Sequence, residues 1–327
     1  MILVTGGAGF IGSNLAAALA ERGAAVAVCD FLPGPDKARN LARLPLRAYI
    51  APQELSGWLA AQAAQVQAVV HLGAITATTE TNAELITAVN VRLSQQLWQW
   101  CAAAGTRFIY ASSAATYGSG SHGFDDDGSP AALARLEPLN LYGSSKHAFD
   151  LWVAGELAAG APHPPQWAGL KFFNVYGPNE YHKGGMRSVV ALKYPLAAAG
   201  QPLTLFRSHR AGVPDGGQKR DFIYVRDCVA VMLWLLEHPR VSGLFNLGTG
   251  QARSFAELAA ALCTALECTP RIEYVDTPPE LRTHYQYFTE ARMERLRSAG
   301  YAAPFTSLED GVCDYVRRYL AQPDPYR

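Results

Sequence analysis

Short apolar runs and long amphipathic stretches alternate along the first half of the chain. Ile2–Val4, Ala25–Cys29, Arg47–Ile50, Ala68–Leu72 and Arg107–Ala111 are rich in β-branched or other apolar residues. Strands buried on both faces read as such unbroken runs, whereas a strand with one wet face alternates. Between them, the stretches near 11–22, 53–65 and 84–104 repeat apolar residues at helical spacing. This order predicts an α/β protein built on a doubly wound parallel sheet. A further strand is expected at Gly169–Phe173, after a helix that starts near Tyr142.

The texture changes after Asn174. Loops rich in Gly, Pro and His (177–185 and 208–219) separate helical stretches near 187–199, 227–237, 254–266 and 307–321, and Leu244–Leu247 reads as a strand returning to the sheet. Residues 1–173 are therefore expected to form a sheet domain, with later returns near 220–250 and 287–300. Residues 174–327 are expected to form mainly a smaller, interleaved substrate domain.

Composition narrows the function classes. Lys plus Arg is 28 and Asp plus Glu is 28, so the 327-residue chain carries no net charge. That balance points away from a nucleic-acid footprint or a polybasic membrane surface. No apolar run approaches the ~20 residues that span a bilayer, and Met1–Val4 lacks the pattern of a signal peptide. Six scattered cysteines, with no Cys-x-x-Cys pair, predict reduced thiols rather than a disulfide frame or a zinc site. The expected compartment is the cytoplasm, with no metal.

The chemistry starts at the first strand, which runs straight into Gly6-Gly7-Ala8-Gly9-Phe10-Ile11-Gly12. Gly7, Gly9 and Gly12 satisfy G-x-G-x-x-G, and Gly6, Gly9 and Gly12 the G-x-x-G-x-x-G variant. Such glycines permit the tight turn, let the backbone approach a pyrophosphate and let the helix pack on the strand. The helix N-terminus then faces the phosphates. Asp30 closes the second strand, where an acidic residue suits a ribose 2′-hydroxyl and hence NAD, while Lys37 and Arg39 beyond it suit a 2′-phosphate and hence NADP. A dinucleotide-binding Rossmann sheet is the expectation.

Tyr142 and Lys146 stand one helical turn apart, so their side chains share a face. A Lys ammonium beside a phenol is expected to lower its pKa from near 10. Ser112 and Ser113 end a buried strand, where doubly wound folds place ligands. Together with Arg220-Asp221-Phe222-Ile223-Tyr224-Val225, these motifs resemble the extended short-chain dehydrogenase/reductases, which include nucleotide-sugar epimerases and dehydratases. Four further stretches resemble, within that group, the 6-epimerases of ADP-linked manno-heptose. They are Tyr110–Gly118, Phe173–Pro178, His182–Met186 and Tyr285–Thr289.

The resemblance implies inversion at the sixth carbon of an ADP-heptose by transient oxidation, with tightly bound NADP, in a homo-oligomer. It places Tyr142 and Lys183 as the two acid/base residues, with Lys146 and Ser113 beside them. Gly6, Gly9, Phe10, Ile11, Gly12, Asp30, Phe31, Lys37, Leu72, Gly73, Ala74, Asn90, Lys146, Val175 and Lys183 would border the cofactor. Ser113, Asn174, Gly185, Phe206, Arg207, Ser208, Arg220 and Tyr285 would contact substrate. Arg220 suits a diphosphate because a guanidinium pairs bidentately with phosphate oxygens.

Other features read as structural. Asp125-Asp126-Asp127 is expected to be a solvated turn, Asp227 a cap on the following helix, His71 a structural residue, and Trp98 and Trp100 core or interface. Arg207, His209, Arg210 and Lys219 lie in a long loop, either reaching the diphosphate or solvated. A UDP-hexose 4-epimerase shares Tyr142, Lys146 and the glycine loop but does not call for Lys183. A dehydratase is disfavoured, because Ala114 and Ala115 follow Ser113 where elimination calls for acidic residues. A catalytically silent NADP-binding regulator is not expected to keep the whole Tyr–Lys set.

Overall fold

A computed structural model describes all residues except Pro33, Thr283 and His284, with Glu280 and Leu281 described by their backbone alone. Its strands are β1 (Ile2–Thr5), β2 (Val26–Cys29), β3 (Ala48–Ile50), β4 (Ala68–His71), β5 (Arg107–Ser113), β6 (Trp167–Phe172), β7 (Asn174–Tyr176), β8 (Leu203–Phe206), β9 (Lys219–Tyr224), β10 (Gly243–Leu247), β11 (Ala252–Ser254) and β12 (Ile272–Val275). Seven of them form one sheet in the order β10-β6-β5-β4-β1-β2-β3, and each neighbouring pair is parallel. The strand order reverses between β1 and β4, which opens a crevice at their carboxyl ends.

The unbroken apolar strands serve two cores at once. Val4, Val70 and Ile109 face one layer with Leu15, Leu19 and Met232. Their chain neighbours Leu3, Val69 and Phe108 face the other with Leu97, Trp98 and Phe149. Trp98 is fully buried, with its ring against Phe108, Trp152 and Trp167.

Five short strands escape the sequence pattern. β7, β9 and β11 form a small sheet and β8 pairs with β12. These strands carry charged and exposed positions such as Lys219, Arg220, Asp221 and Asn174, which break the apolar runs that signal a strand. β5 also continues past Ala111 to Ser113. The stretch near 84–104 is helical throughout but contains a π-helical turn, Thr87–Arg92, before the α-helix Leu93–Ala104. The long helix Leu141–Ala158 is capped by Asn140, whose Oδ1 accepts the Gly143 N–H at 2.8 Å, so Tyr142 and Lys146 are held in its first two turns. No helix among the described residues is long and apolar enough to cross a membrane.

Candidate active site

The glycine loop is shaped by a close approach between the turns after β1 and β4. Gly6 has φ +66°, and a Cβ there would lie 2.6 Å from the Gly73 nitrogen. At Gly12 a Cβ would lie 2.2 Å from the Gly6 carbonyl oxygen. The helix Phe10–Glu21 starts at Gly9 with no side-chain cap, leaving first-turn N–H groups free for an anion. Asp30 is buried, its Oδ2 accepting the Ala8 N–H at 2.9 Å and its Oδ1 the Phe31 N–H at 2.7 Å and Lys37 Nζ at 2.6 Å. These features fit a dinucleotide, with the pyrophosphate at the uncapped helix and a ribose at Asp30.

One cavity of about 1010 Å³ runs from this loop past the carboxyl ends of β5 and β6 to the small sheets. Gly6, Gly9, Phe10, Ile11, Gly12, Asp30, Lys37, Leu72, Gly73 and Ala74 line its first arm; Ser113, Tyr142, Lys146, Asn174, Val175 and Lys183 line its middle; Phe206, Arg220 and Tyr285 line the far arm. Tyr142 and Lys183 thus border the same space.

The electrostatics differ from the simple Tyr–Lys expectation. Burial pushes the Tyr142 phenol up, and a hydrogen bond from Ser113 partly offsets it. Burial lowers Lys146 to about 8, against the pull of Asp150 one turn along the helix. Burial also lowers Lys183, opposed by Glu180. The Lys183 Nζ lies 5.1 Å from the centre of the Phe10 ring. Its loop is pinned to the cofactor loop, because Asn14 Nδ2 donates to the Pro178 carbonyl at 2.9 Å and Asn179 Nδ2 to Ser13 Oγ at 3.0 Å.

Behind this surface lies a polar network that pattern reading missed. Asp150 and Lys171 are an ion pair at 2.8 Å with both side chains fully buried. Asp150 also accepts hydrogen bonds from Ser112 Oγ at 2.6 Å and Tyr110 OH at 3.2 Å, while Lys171 donates to Thr116 Oγ1 at 2.6 Å. Ser112 is therefore committed to structure, and Ser113 is the serine turned to Tyr142. The available signals were Asp150, one turn beyond Lys146, and a lysine inside the apolar strand Gly169–Phe173.

Several residues named from sequence do not line this cavity. Phe31 is 65% exposed and does not line the cavity; nor do Asn90, Gly185, Arg207 and Ser208. Asn90 works one layer back. Its Oδ1 accepts the Ile75 N–H at 2.8 Å and its Nδ2 donates to Ser145 Oγ at 3.0 Å, which ties the turn after β4 to the Tyr142 helix. Arg207 Nε donates to the Tyr274 carbonyl at 3.2 Å, and the Ser208 N–H donates to Asp215 Oδ1 at 2.8 Å. His209, Arg210 and Lys219 do not line the cavity either. Arg39 turns away from the ribose position to lie 4.1 Å over the Tyr326 ring, so only Lys37 of the two cations faces Asp30.

Of the residues read as structural, Asp126 and Asp227 depart from the expectation and His71 meets it. Asp126 is not solvated: it is 1% exposed, accepts the Asn246 N–H at 2.7 Å, and burial raises it to about 6. Asp227 does not cap its own helix; its Oδ2 accepts the Thr306 N–H at 2.8 Å and its Oδ1 the Thr306 hydroxyl at 2.8 Å. His71 is buried and lowered to about 3 by desolvation and the Lys146 charge. Ser94 Oγ donates to the Asn90 carbonyl, so it accepts the His71 Nε2–H, and Nδ1 accepts the Thr5 hydroxyl at 2.6 Å. Among the described residues no cluster of metal-ligating side chains converges.

Residues 2–248 match the model of the NAD dependent epimerase/dehydratase family. The ADP-L-glycero-D-manno-heptose-6-epimerase of Nitratidesulfovibrio vulgaris (strain DP4) is 49% identical over 332 residues, covering 100% of both chains. The crystal structure of the Helicobacter pylori ADP-L-glycero-D-manno-heptose-6-epimerase matches with a TM-score of 0.78 at 29% identity, over 97% of this chain and 95% of that one. The UDP-glucose 4-epimerase of Thermus thermophilus, solved with NAD, matches with a TM-score of 0.72 at 25% identity, over 95% and 96%.

Proposed function

The chain belongs to the NAD dependent epimerase/dehydratase family, and from that membership we propose that it inverts the sixth carbon of ADP-D-glycero-D-manno-heptose to the L-glycero epimer, with NADP as cofactor. The observation that carries this reading is Lys183. It borders the same cavity as Tyr142, in a chain 49% identical to a 6-epimerase of this name.

The chemistry requires such a pair. The sixth carbon bears a hydroxyl and has no neighbouring carbonyl, so its C–H is not acidic. A bound nicotinamide supplies reversible oxidation of that carbon. Inversion then requires the ketone to present its other face, which carries its oxygen away from the group that first took the hydroxyl proton. A second acid/base group at a different position must receive it. Tyr142, with Ser113 against its phenol, and Lys183, on the loop pinned to the Phe10 helix, fill those two positions. The test of substrate is direct. Purified protein converts ADP-D-glycero-D-manno-heptose, followed by NMR, and leaves UDP-glucose unchanged; the reverse preference replaces this reading with a UDP-hexose 4-epimerase.

NADP is favoured by Lys37. Its ammonium, 2.6 Å from Asp30, offsets the carboxylate that would otherwise repel a 2′-phosphate. Lys37→Ala is expected to weaken NADP binding about tenfold or more, the scale of one charged hydrogen bond, and to change NAD binding less than about threefold on the same scale. Fluorescence titration with both cofactors checks this, and an equal loss for both contradicts it.

A further inference from the structure

The far arm of the cavity is lined by cations with, among the described residues, no carboxylate to match them. Asp30 is the only acidic residue on the walls among the described residues, and it sits in the cofactor arm, already paired with Lys37. Arg187 also reaches the wall, but its Nε donates to the Gly184 carbonyl at 2.8 Å, beside Lys183. Two basic side chains remain beyond the catalytic middle on an otherwise largely apolar wall: Arg220 and Lys193. Arg220 is held between the rings of Tyr285, at 5.3 Å, and Phe255, at 5.7 Å.

Lys193 stands on the helix Val189–Ala198, and its Nζ donates to Thr204 Oγ1 of β8 at 2.5 Å. No carboxylate among the described residues is within ion-pairing distance of it. Burial lowers its proton affinity. Phe206 lines the same cavity as the two cations. It is two residues along β8 from Thr204, on the same face of the strand, and its ring is 6.2 Å from that of Tyr285.

We propose that Lys193, positioned by Thr204, is a second anchor beside Arg220 for the diphosphate of the nucleotide sugar. Two cations on one cavity wall, Lys193 on Thr204 and Arg220 on the Tyr285 ring that Phe206 also meets, match a group with two anionic phosphates. The assignment rests on the nucleotide-sugar reading above for the class of ligand, but not on the identity of the sugar or the base.

The test uses the protein saturated with NADP, so that added nucleotides report only on the substrate arm. Titration calorimetry follows ADP and adenosine. Lys193→Met is expected to raise the Kd for ADP about tenfold or more and to move that for adenosine less than about twofold on the same scale. Lys193→Arg restores most of the ADP affinity. Thr204→Val, which removes the hydroxyl that orients the ammonium, weakens ADP by a smaller factor in the same direction. Thermal unfolding of each variant verifies that it folds. An equal loss for ADP and adenosine, or no loss for ADP in a folded variant, overturns the proposal. UDP run in parallel separates the two claims. If UDP binds the wild type more tightly than ADP, the ADP-heptose reading fails while the Lys193→Met factor persists; if the factor vanishes with both diphosphates, the Lys193 assignment fails.

Discussion

Tyr142→Phe is expected to lower kcat for inversion by about 10²–10⁴-fold, the usual contribution of one positioned acid/base group. Lys183→Met is expected to do the same, because inversion passes the oxygen from one side of the cavity to the other and needs a proton acceptor at each. The double variant should lose little more than the worse single one, since residues that act in one sequence of steps are not additive. The Phe variant keeps the ring packed against Ser113, and the Met variant keeps an aliphatic chain near Phe10. NADP binding by fluorescence shows whether each site stays intact. Steady-state rates with ADP-D-glycero-D-manno-heptose decide the matter. Either variant keeping more than about a tenth of the wild-type kcat removes that residue from the acid/base role.

Lys171→Met should produce the largest loss of stability. It leaves the Asp150 carboxylate fully buried without its counter-charge, and breaking such a pair from one side costs about 3–5 kcal/mol. Asp150 would retain the Ser112 and Tyr110 hydroxyls, which places the cost toward the lower end of that range. The double variant Lys171→Met/Asp150→Leu removes both charges and should recover a large part of the loss, because an apolar pair in place of a buried ion pair is often neutral or better. Urea unfolding of the three proteins measures this. A loss below about 1 kcal/mol for Lys171→Met would mean that water or a rearranged donor reaches Asp150.

The sheet was legible because its strands are buried on both faces, which leaves runs such as Val26–Cys29 and Ala68–His71 hardly any polar position. The glycine loop was legible because the Gly6–Gly73 and Gly12–Gly6 approaches exclude a Cβ, so geometry is written directly into residue type. Tyr142 and Lys146 were legible because a helix converts spacing into a shared face. What stayed hidden depends on contacts between distant parts of the chain. Ser112 and Ser113 look alike in sequence, and only Asp150 approaching from the helix tells them apart. Lys37 and Arg39 look alike too, until Asp324, 285 positions further along the chain, and the Tyr326 ring draw Arg39 aside. Lys193 sits in a helix with no motif around it, and its place in the cavity follows from the packing of that helix on a strand too short and too mixed to predict. Asn90, named for the cofactor, also braces the Tyr142 helix through Ser145.

The central claim is that the hydrogen leaving the sixth carbon returns to that same carbon without mixing with solvent, while protons on the oxygen pass through Tyr142 and Lys183. The most direct measurement is conversion of ADP-D-glycero-D-manno-heptose in heavy water by the purified protein with NADP, with the product's sixth carbon followed by NMR. The account predicts the L-glycero epimer with no deuterium at that carbon. Deuterium there would contradict it and show that the C–H is exchanged as a proton.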